Sequence, residues 1–341
     1  MHKKVTIGIP VFRVEDYIRR TMESVLSQTY DNIEILVIDD ASDDKSLDIL
    51  HSIQGTHPRG NDIRILSHEH NQGVSETRNQ IIDEAKGEYL YFVDSDDIIE
   101  NDTISLLMDQ IERHHADIAF GSYERIGLSG EHTLFQYPNI LFEDADSFAN
   151  YAYQRYAGFQ ASACNYLVRL SLIRQNNLRF FKADFWEDMA FTFNLVTIAE
   201  RAVLLPNITY TYLCRENSLS NSWHNETLEK DKIVQYFKAV NLLKDDAYKF
   251  KTKPYYPNRC YIAMMSDFYI ICNVLKKYNY IHPRFKNEEL HYYMKHPAPL
   301  GDIIRFGNYK IRNILLWCLG ELSPFFCILM IKIVAKIKRL L

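Results

Sequence analysis

The stretch GEYLYFVDSDD, residues 87–97, runs from an apolar segment directly into four short, mostly acidic residues. Residues 89–93 are aromatic and aliphatic, and together with Glu88 they have the pattern of a buried β-strand. The tetrad from Asp94 to Asp97 therefore lies at the C-terminal end of that strand, where carboxylates repel one another and lose hydration unless a cation balances them. Mg²⁺ or Mn²⁺, held by one or two carboxylates and by phosphate oxygens, is the simplest such cation. The stretch predicts a metal–diphosphate site.

The segments on either side of this stretch alternate between strand and helix character. Strands are predicted at residues 5–11, 33–38 and 63–66, and helices at 14–28, 42–53 and 75–86. This alternation predicts an α/β fold with a mostly parallel, doubly wound sheet. Ligands of such sheets bind beyond the carboxyl ends of the strands. Pro10, the pair Asp39-Asp40 and the tetrad are all expected at that edge.

After Asn101 the pattern becomes mixed. Strands are predicted at residues 120–125, 133–137 and 203–213, and helices at 165–175 and 188–199. From Glu226 onward the pattern is almost wholly helical. We therefore expect a domain over residues 1–225, with a nucleotide-binding half at about 1–100 and an acceptor half at about 101–225. A helical region is expected over 226–341.

Composition excludes some functions and favours a compartment. The 341 residues carry a net charge of −5, which argues against a nucleic-acid-binding protein. The six cysteines include no Cys-x-x-Cys pair, which is typical of reduced thiols in a cytoplasmic protein. The N-terminus enters a strand pattern at once, so no signal peptide is expected.

The C-terminal tail differs from the rest of the chain. From Ile303 onward it has seven basic residues and one acidic residue. In helical projection one side carries Phe326, Met330, Ile333, Ile337 and Leu340, and another carries Lys332, Lys336 and Arg339. This pattern predicts peripheral attachment to the inner face of the cytoplasmic membrane. The alternative is a helix packed on the protein body with a basic outer stripe. Glu321 and Pro324 interrupt the apolar run, so a spanning helix is not expected.

A few other groups are candidates for chemistry. Glu187-Asp188 precedes an apolar helix, as a helix cap or as a general base. His68-Glu69-His70 is expected to be an exposed turn rather than a metal site. His224 follows Arg215 in a polar segment and is a weaker candidate ligand for a metal or diphosphate. The sequence has no phosphate-binding P-loop and no dinucleotide fingerprint.

Six segments in this order resemble the family 2 glycosyltransferases, which are inverting enzymes of GT-A fold. The segments are VTIGIPVF (5–12), SVLSQTY (24–30), EILVIDDAS (34–42), NQGVSETRN (71–79), GEYLYFVDSDD (87–97) and WED (186–188). The resemblance is strong over the first hundred residues and patchier to about Asn221. Arg13, Ala41 and Tyr166 depart from the usual pattern of the family.

The resemblance implies a role for each matching residue. The residues implied in binding the nucleotide-sugar are Pro10, Val11, Phe12, Asp40, Arg78, Asp94, Ser95 and Asp96. Asp96 and Asp94 would hold Mg²⁺ or Mn²⁺. Asp188 resembles the catalytic base, and Glu187 its neighbour on the acceptor side. The expected donor is a UDP-sugar. The membrane-seeking tail beside a catalytic domain predicts a glycan or lipid-linked glycan as the acceptor, as in bacterial surface polysaccharide synthesis.

Three other functions remain open at this point. Asp94-Ser95-Asp96 fits the first half of the Asp-x-Asp-x-Thr phosphohydrolase motif, although Asp97 stands where that motif needs Thr or Val. A sugar nucleotidylyltransferase would need a Gly-rich N-terminal loop that the sequence lacks. A catalytically inactive sugar-nucleotide-binding subunit would be expected to lose some of the acidic residues.

Overall fold

The computed structural model describes residues 2–155, 158–183, 186–215 and 228–340. The strands among them are β1 (Val5–Val11), β2 (Ile33–Asp39), β3 (Ile63–Ser67), β4 (Tyr89–Phe92), β5 (Ile98–Ile99), β6 (Ile118–Ile126), β7 (His132–Phe135), β8 (Ile140–Phe142), β9 (Tyr166–Arg169), β10 (Ala202–Leu213), β11 (Leu228–Glu229) and β12 (Ile281–His282). The α-helices are α1 (Ile18–Leu26), α2 (Ser46–Thr56), α3 (Val74–Glu84), α4 (Thr103–His114), α5 (Ala145–Gln154), α6 (Leu170–Gln175), α7 (Glu187–Leu195), α8 (Lys230–Asp245), α9 (Tyr256–Lys276), α10 (Asn287–Tyr293), α11 (Leu300–Ile303), α12 (Lys310–Glu321) and α13 (Pro324–Ile337).

The chain divides into two compact units. The first comprises Met1–Phe148, Ala161–Ala183 and Glu187–Ser218, and the second comprises Ala149–Gln160, Asp184–Trp186 and Leu219–Leu341. The sequence predicted a single boundary after residue 225. In the structure the second unit begins at Leu219 and also includes two short earlier segments, residues 149–160 and 184–186.

The first unit contains a ten-stranded sheet in the order β3-β2-β1-β4-β9-β6-β10-β5, with β7 beside β6 and β8 beside β10. Strands β1 to β4 pair in parallel, as the strand–helix alternation predicts. The sheet becomes mixed beyond β4, because β9 runs antiparallel to both β4 and β6. This α/β architecture confirms the predicted fold class.

The helix predicted at residues 165–175 is wrong over its first half. Tyr166–Arg169 forms β9, and only Leu170–Gln175 is helical. Tyr166, Leu167 and Val168 are fully buried between two neighbouring strands. Pairing and burial in the sheet outweigh a helical spacing of apolar residues over so short a segment.

The parallel strands deliver their C-terminal residues to one edge of the sheet. Val11 at the end of β1 pairs with Asp39 at the end of β2, and β4 ends just before the tetrad. Helix α3 packs closely on β1, since a Cβ atom on Gly8 would lie 2.4 Å from Ile81 Cγ2. The close approach fixes α3 against the middle of β1, and this helix carries Arg78.

The second unit is built around the 21-residue helix α9, which packs against α8, α12 and α13. Its centre contains a fully buried cation, Arg259, which donates to the Leu243 carbonyl oxygen at 3.0 Å and to the Tyr153 hydroxyl. Lys244 forms a buried ion pair with Asp267. In the described part of the chain, no helix is long and apolar enough to span a bilayer.

Candidate active site

Arg78 links two acidic groups that are far apart in the sequence. Its Nη2 lies 2.8 Å from Asp94 Oδ1, and its Nη1 lies 2.6 Å from Glu187 Oε1. The guanidinium is buried, and the Phe180 ring centroid lies 5.4 Å from it. Both ion pairs are charge-assisted hydrogen bonds in a site of low polarity, where they are strong and directional. Arg78 therefore holds the carboxylate end of β4 and the start of α7 in one site.

The rest of the tetrad is held by groups from β10 and the residues after it. Asp97 is fully buried and accepts hydrogen bonds from the Tyr210 hydroxyl at 2.6 Å and the Leu213 N–H at 2.9 Å. Arg215 Nε lies 2.5 Å from Asp96 Oδ2. Burial raises the pKa of Asp97 well above its ordinary value, and the negative charges of Asp96 and Asp94 raise it further. Asp97 therefore acts as a structural anchor for the turn that presents the other two carboxylates.

Asp94 and Asp96 suit a divalent cation. Burial raises the pKa of Asp96, Arg215 opposes the rise, and the charge of Asp94 adds to it. The two carboxylates thus repel each other and offer the hard oxygen ligands that Mg²⁺ and Mn²⁺ prefer. Among the residues that the structure describes, no group of three His, Cys, Asp or Glu side chains could hold a metal ion. The pair fits a metal that takes its remaining ligands from phosphate and water.

Glu187 and Asp188 begin α7, beside Arg78. Burial and the charge of Glu187 together raise the pKa of Asp188 to about 7, and Arg78 opposes the rise. Burial likewise raises the pKa of Glu187, against the charge of Arg78. A carboxylate with a pKa near neutrality can take up a proton during a reaction at neutral pH. Asp188 therefore has the proton affinity of a general base, which supports the role that the resemblance implies.

Asp40 is occupied by the protein itself. Its Oδ1 accepts from the Gln72 N–H at 2.8 Å and lies 2.6 Å from His68 Nδ1, and its Oδ2 accepts from the Gly73 N–H at 2.8 Å. A nucleotide-sugar that binds Asp40, as the resemblance implies, would have to share these oxygens, each of which has two lone pairs. The expectation that residues 68–70 form an exposed turn is wrong for His68, because its side chain is 5% exposed and is turned towards Asp40.

The other predicted donor-binding residues differ in their exposure. Pro10 and Val11 are buried inside β1, and Ser95 is also buried. Phe12 is exposed, and the Arg13 guanidinium lies 4.9 Å from its ring centroid. Only Phe12 of these four therefore offers a surface on which a planar ligand can stack. His224, the weaker metal candidate, lies outside the described residues.

Two residues of the site escaped the sequence analysis. Tyr210 lies on β10, and Arg215 follows the end of that strand. The pairing of Tyr210 with Ile99 brings both residues to the tetrad. The sequence predicted a strand at 203–213, but nothing in it shows which strand would be its neighbour. One signal was available in the sequence: Arg215 is the first basic residue after the predicted strand at 203–213.

The chain is similar in sequence and in fold to several known proteins. Residues 6–174 match the sequence model of the family described as "Glycosyl transferase family 2". Glycosyltransferase GlyA of Streptococcus pneumoniae serotype 4 is 35% identical over 228 residues, which are 64% of this chain and 32% of GlyA. The poly(ribitol-phosphate) beta-glucosyltransferase of Bacillus spizizenii is 30% identical over 220 residues, 63% of this chain and 33% of that protein. The crystal structure of Staphylococcus aureus TarS 1–349 in complex with UDP-GlcNAc has a TM-score of 0.68 at 19% identity, covering 93% of this chain and 90% of that one.

The chain therefore belongs to the family 2 glycosyltransferases, has the GT-A fold and is a glycosyltransferase. It spans about a third of the length of the two curated relatives described above.

Proposed function

We propose that the chain is an inverting, metal-dependent glycosyltransferase that moves a sugar from a UDP-sugar to a hydroxyl of a glycan or lipid-linked glycan. The TarS structure, which shares the fold, was solved with UDP-GlcNAc, and this supports a nucleotide-sugar donor. The relative named as a poly(ribitol-phosphate) beta-glucosyltransferase supports a place in cell-envelope polysaccharide synthesis.

The observation that carries this proposal is the double ion pair of Arg78. One partner, Asp94, belongs to the acidic tetrad, and the other, Glu187, is the direct neighbour of Asp188. Transfer needs the donor diphosphate and the acceptor hydroxyl within a few ångströms of each other. A rigid buried link between the two acidic groups provides that positioning.

In the reaction the acceptor oxygen forms a bond to the anomeric carbon as the bond from that carbon to the β-phosphate oxygen breaks. Asp188 accepts the acceptor hydroxyl proton, and the nucleoside diphosphate leaves with the bonding electron pair. Attack from the face opposite the leaving group inverts the anomeric centre. A positioned base contributes roughly 10²–10⁴-fold to such a reaction. No covalent intermediate is required.

The leaving diphosphate needs positive charge. Asp94 and Asp96 would hold Mg²⁺ or Mn²⁺, which when bound stabilises the charge on the leaving oxygens. Arg215 pairs with Asp96, and Arg78 pairs with Asp94. Two guanidinium groups therefore lie beside the carboxylates that would hold the metal. Their positive charge stabilises the buried carboxylates, and their N–H groups could also donate hydrogen bonds to phosphate oxygens.

The proposed location is the inner face of the cytoplasmic membrane. A lipid-linked acceptor would be presented there, and the C-terminal tail carries the basic and apolar residues that such a surface attracts. We place the enzyme at that surface as a peripheral protein.

The test is incubation of the full chain with a panel of UDP-sugars and Mn²⁺. Release of UDP is expected with one donor, and product mass identifies the sugar and the acceptor. Proton NMR of the product is expected to show an inverted anomeric configuration. A chain that hydrolyses phosphomonoesters but releases no UDP is a phosphohydrolase, and one that binds UDP-sugars in calorimetry without release in any acceptor mixture is an inactive subunit. Either result overturns the proposal.

A further inference from the structure

Helix α13 is apolar on two opposite sides. Its inner side, with Cys327, Ile328, Ile331 and Ala335, is buried, and the helix packs against α9 and α10. Its outer side carries Phe325, Phe326, Leu329, Met330, Ile333 and Ile337, which are all exposed. A helix with large apolar side chains on two opposite sides is normally covered on both of them. The inner side accounts for the position of the helix in the unit, and the outer side requires a separate explanation.

The preceding helix, which is in contact with α13, also exposes large apolar side chains. Ile311 and Leu315 lie four residues apart on α12 and are 73% and 65% exposed. Soluble proteins rarely leave so many large apolar side chains exposed along two consecutive helices unless another surface covers them. We call the outer side chains of α13, together with Ile311 and Leu315, the outer face.

The charges beside the outer face show which surface it fits. Lys332 and Lys336 lie one helical turn apart on α13, and Lys310 and Arg312 lie at the start of α12; all four are exposed. Glu321 is the only acidic residue from Ile303 to the end of the sequence. A protein partner would be expected to meet a surface with charges of both signs at its rim. A phospholipid surface with anionic headgroups attracts positive charge alone.

We infer that the outer face is a preformed membrane-docking surface that lies within the headgroup region of an anionic bilayer. This rests on the proposed function, since it identifies the partner that would hold the enzyme near a lipid-linked acceptor. Helix α13 has 14 residues, so it is about 21 Å long and too short to cross a hydrocarbon core of about 30 Å. The helix lies in the interface instead, with Phe325 and Phe326 as its aromatic anchors.

The buried inner side of α13 distinguishes this surface from a tail that becomes helical only when it binds lipid. Its apolar contacts are already made within the second unit, so α13 does not need the bilayer in order to be helical. The expected consequence is that circular dichroism of the full chain is the same with and without vesicles. A large gain of helical signal on vesicle binding would overturn the claim that the surface is preformed.

The test is flotation of the full chain with vesicles of phosphatidylcholine and phosphatidylglycerol. We expect Phe326→Ser/Ile337→Ser to lower the vesicle partition coefficient by about tenfold or more, because the bilayer would no longer bury these two apolar side chains. The matched control is Leu128→Ser/Leu134→Ser, which removes two equally exposed apolar side chains from the sheet unit. The control is expected to float like the wild type.

UDP release from a free donor, without vesicles, is measured on the same proteins and separates this inference from the proposed function. Flotation lost with UDP release retained supports the docking surface. A wild-type chain that releases UDP but never floats overturns the docking surface alone, and one that floats without any transferase activity overturns the proposed function alone. Light scattering tests whether a second copy of the chain covers the outer face instead. The face would be assigned to a second copy if the wild type is a dimer that does not float and the outer-face variant is a monomer.

Discussion

The active-site edge of the sheet and the C-terminal helices depart from the usual distribution of polarity in opposite directions. The edge buries charge: Arg78, Glu187 and Asp97 are all nearly inaccessible. Helices α12 and α13 do the reverse and expose large apolar side chains to solvent. Both arrangements are costly in isolation, because buried charge loses hydration and exposed apolar surface orders water.

The two regions differ in how far other groups of the chain offset these unfavourable free energies. At the site edge, arginines already pair with the carboxylates. Burial is the main cause that raises the pKa values of Asp96, Asp97 and Asp188, and the charges of neighbouring carboxylates raise them further. On the outer face, nothing in the described part of the second unit covers the exposed side chains. The proposed metal and donor would complete the charge balance at the site, whereas the outer face would be covered by the proposed membrane surface.

The largest expected effect tests the balance of charge at the site. Asp96→Ala is expected to lower UDP release by at least about 10³-fold, because a bound metal contributes several kcal/mol to stabilising the leaving group. Excess EDTA should have the same effect on the wild type. The control is Asp109→Ala, which removes an exposed carboxylate from the surface of α4. Full activity of the wild type in EDTA would remove the metal from the mechanism.

The next effect separates the base from the donor site. Asp188→Asn is expected to lower kcat by at least about 10² while leaving UDP affinity in calorimetry unchanged. Loss of UDP affinity would instead assign Asp188 to donor binding.

The same variant makes a prediction about stability. The folded-state pKa of Asp188, about 7, lies above its unfolded value, so its contribution to stability is present at low pH and is lost as pH rises through 7. Asn carries no charge, so the variant should melt at a higher temperature than the wild type above pH 7 and lose that advantage in acid. An unchanged melting temperature at alkaline pH would show that Asp188 is better solvated than its surroundings indicate.

The third effect concerns coupling between the two acidic neighbours. Because Asp188 acts as a base only when ionised, kcat should rise with pH with an apparent pKa of about 7. Glu187→Gln removes a negative charge that raises the pKa of Asp188 while Arg78 continues to lower it. The acid limb of the pH profile is therefore expected to move to lower pH, whatever happens to the maximal rate. A limb that stays in place would mean that a different group is titrating.

The sequence predicted much of the fold and site, and its failures have a common cause. Strands β1 to β4 follow from local alternation, and the tetrad, Arg78 and Glu187 lie in motifs short enough to recognise. Strand β9 was missed because four strand residues run straight into a six-residue helix, so one apolar spacing covers both. Tyr210 was missed because its role depends on a contact with Asp97, 113 residues earlier. Local patterns carry no information about such pairings.

The tail shows the same limit from another side. The sequence predicted the outer apolar row of α13 and offered packing on the protein body as the alternative to membrane attachment. The structure shows packing, through a second apolar side that the projection did not separate from the first. It also adds Ile311 and Leu315 of α12, which had not been considered. Membrane attachment itself stays a prediction.

The smallest expected effect tests the charged margin of the outer face. Lys336→Gln removes one exposed basic residue, which lies close to Ile333 and Ile337 on α13, without changing the apolar row. A basic residue near an anionic bilayer contributes about 1 kcal/mol, so partition onto vesicles with phosphatidylglycerol should fall by roughly fivefold. Binding to purely zwitterionic vesicles should be unchanged, and the difference should shrink as salt shortens the Debye length from about 10 Å at 0.1 M to about 3 Å at 1 M. Equal loss on both kinds of vesicle would mean that Lys336 acts through its aliphatic stem or through the fold of α13, and the preference for anionic lipid would then have to come from another part of the chain.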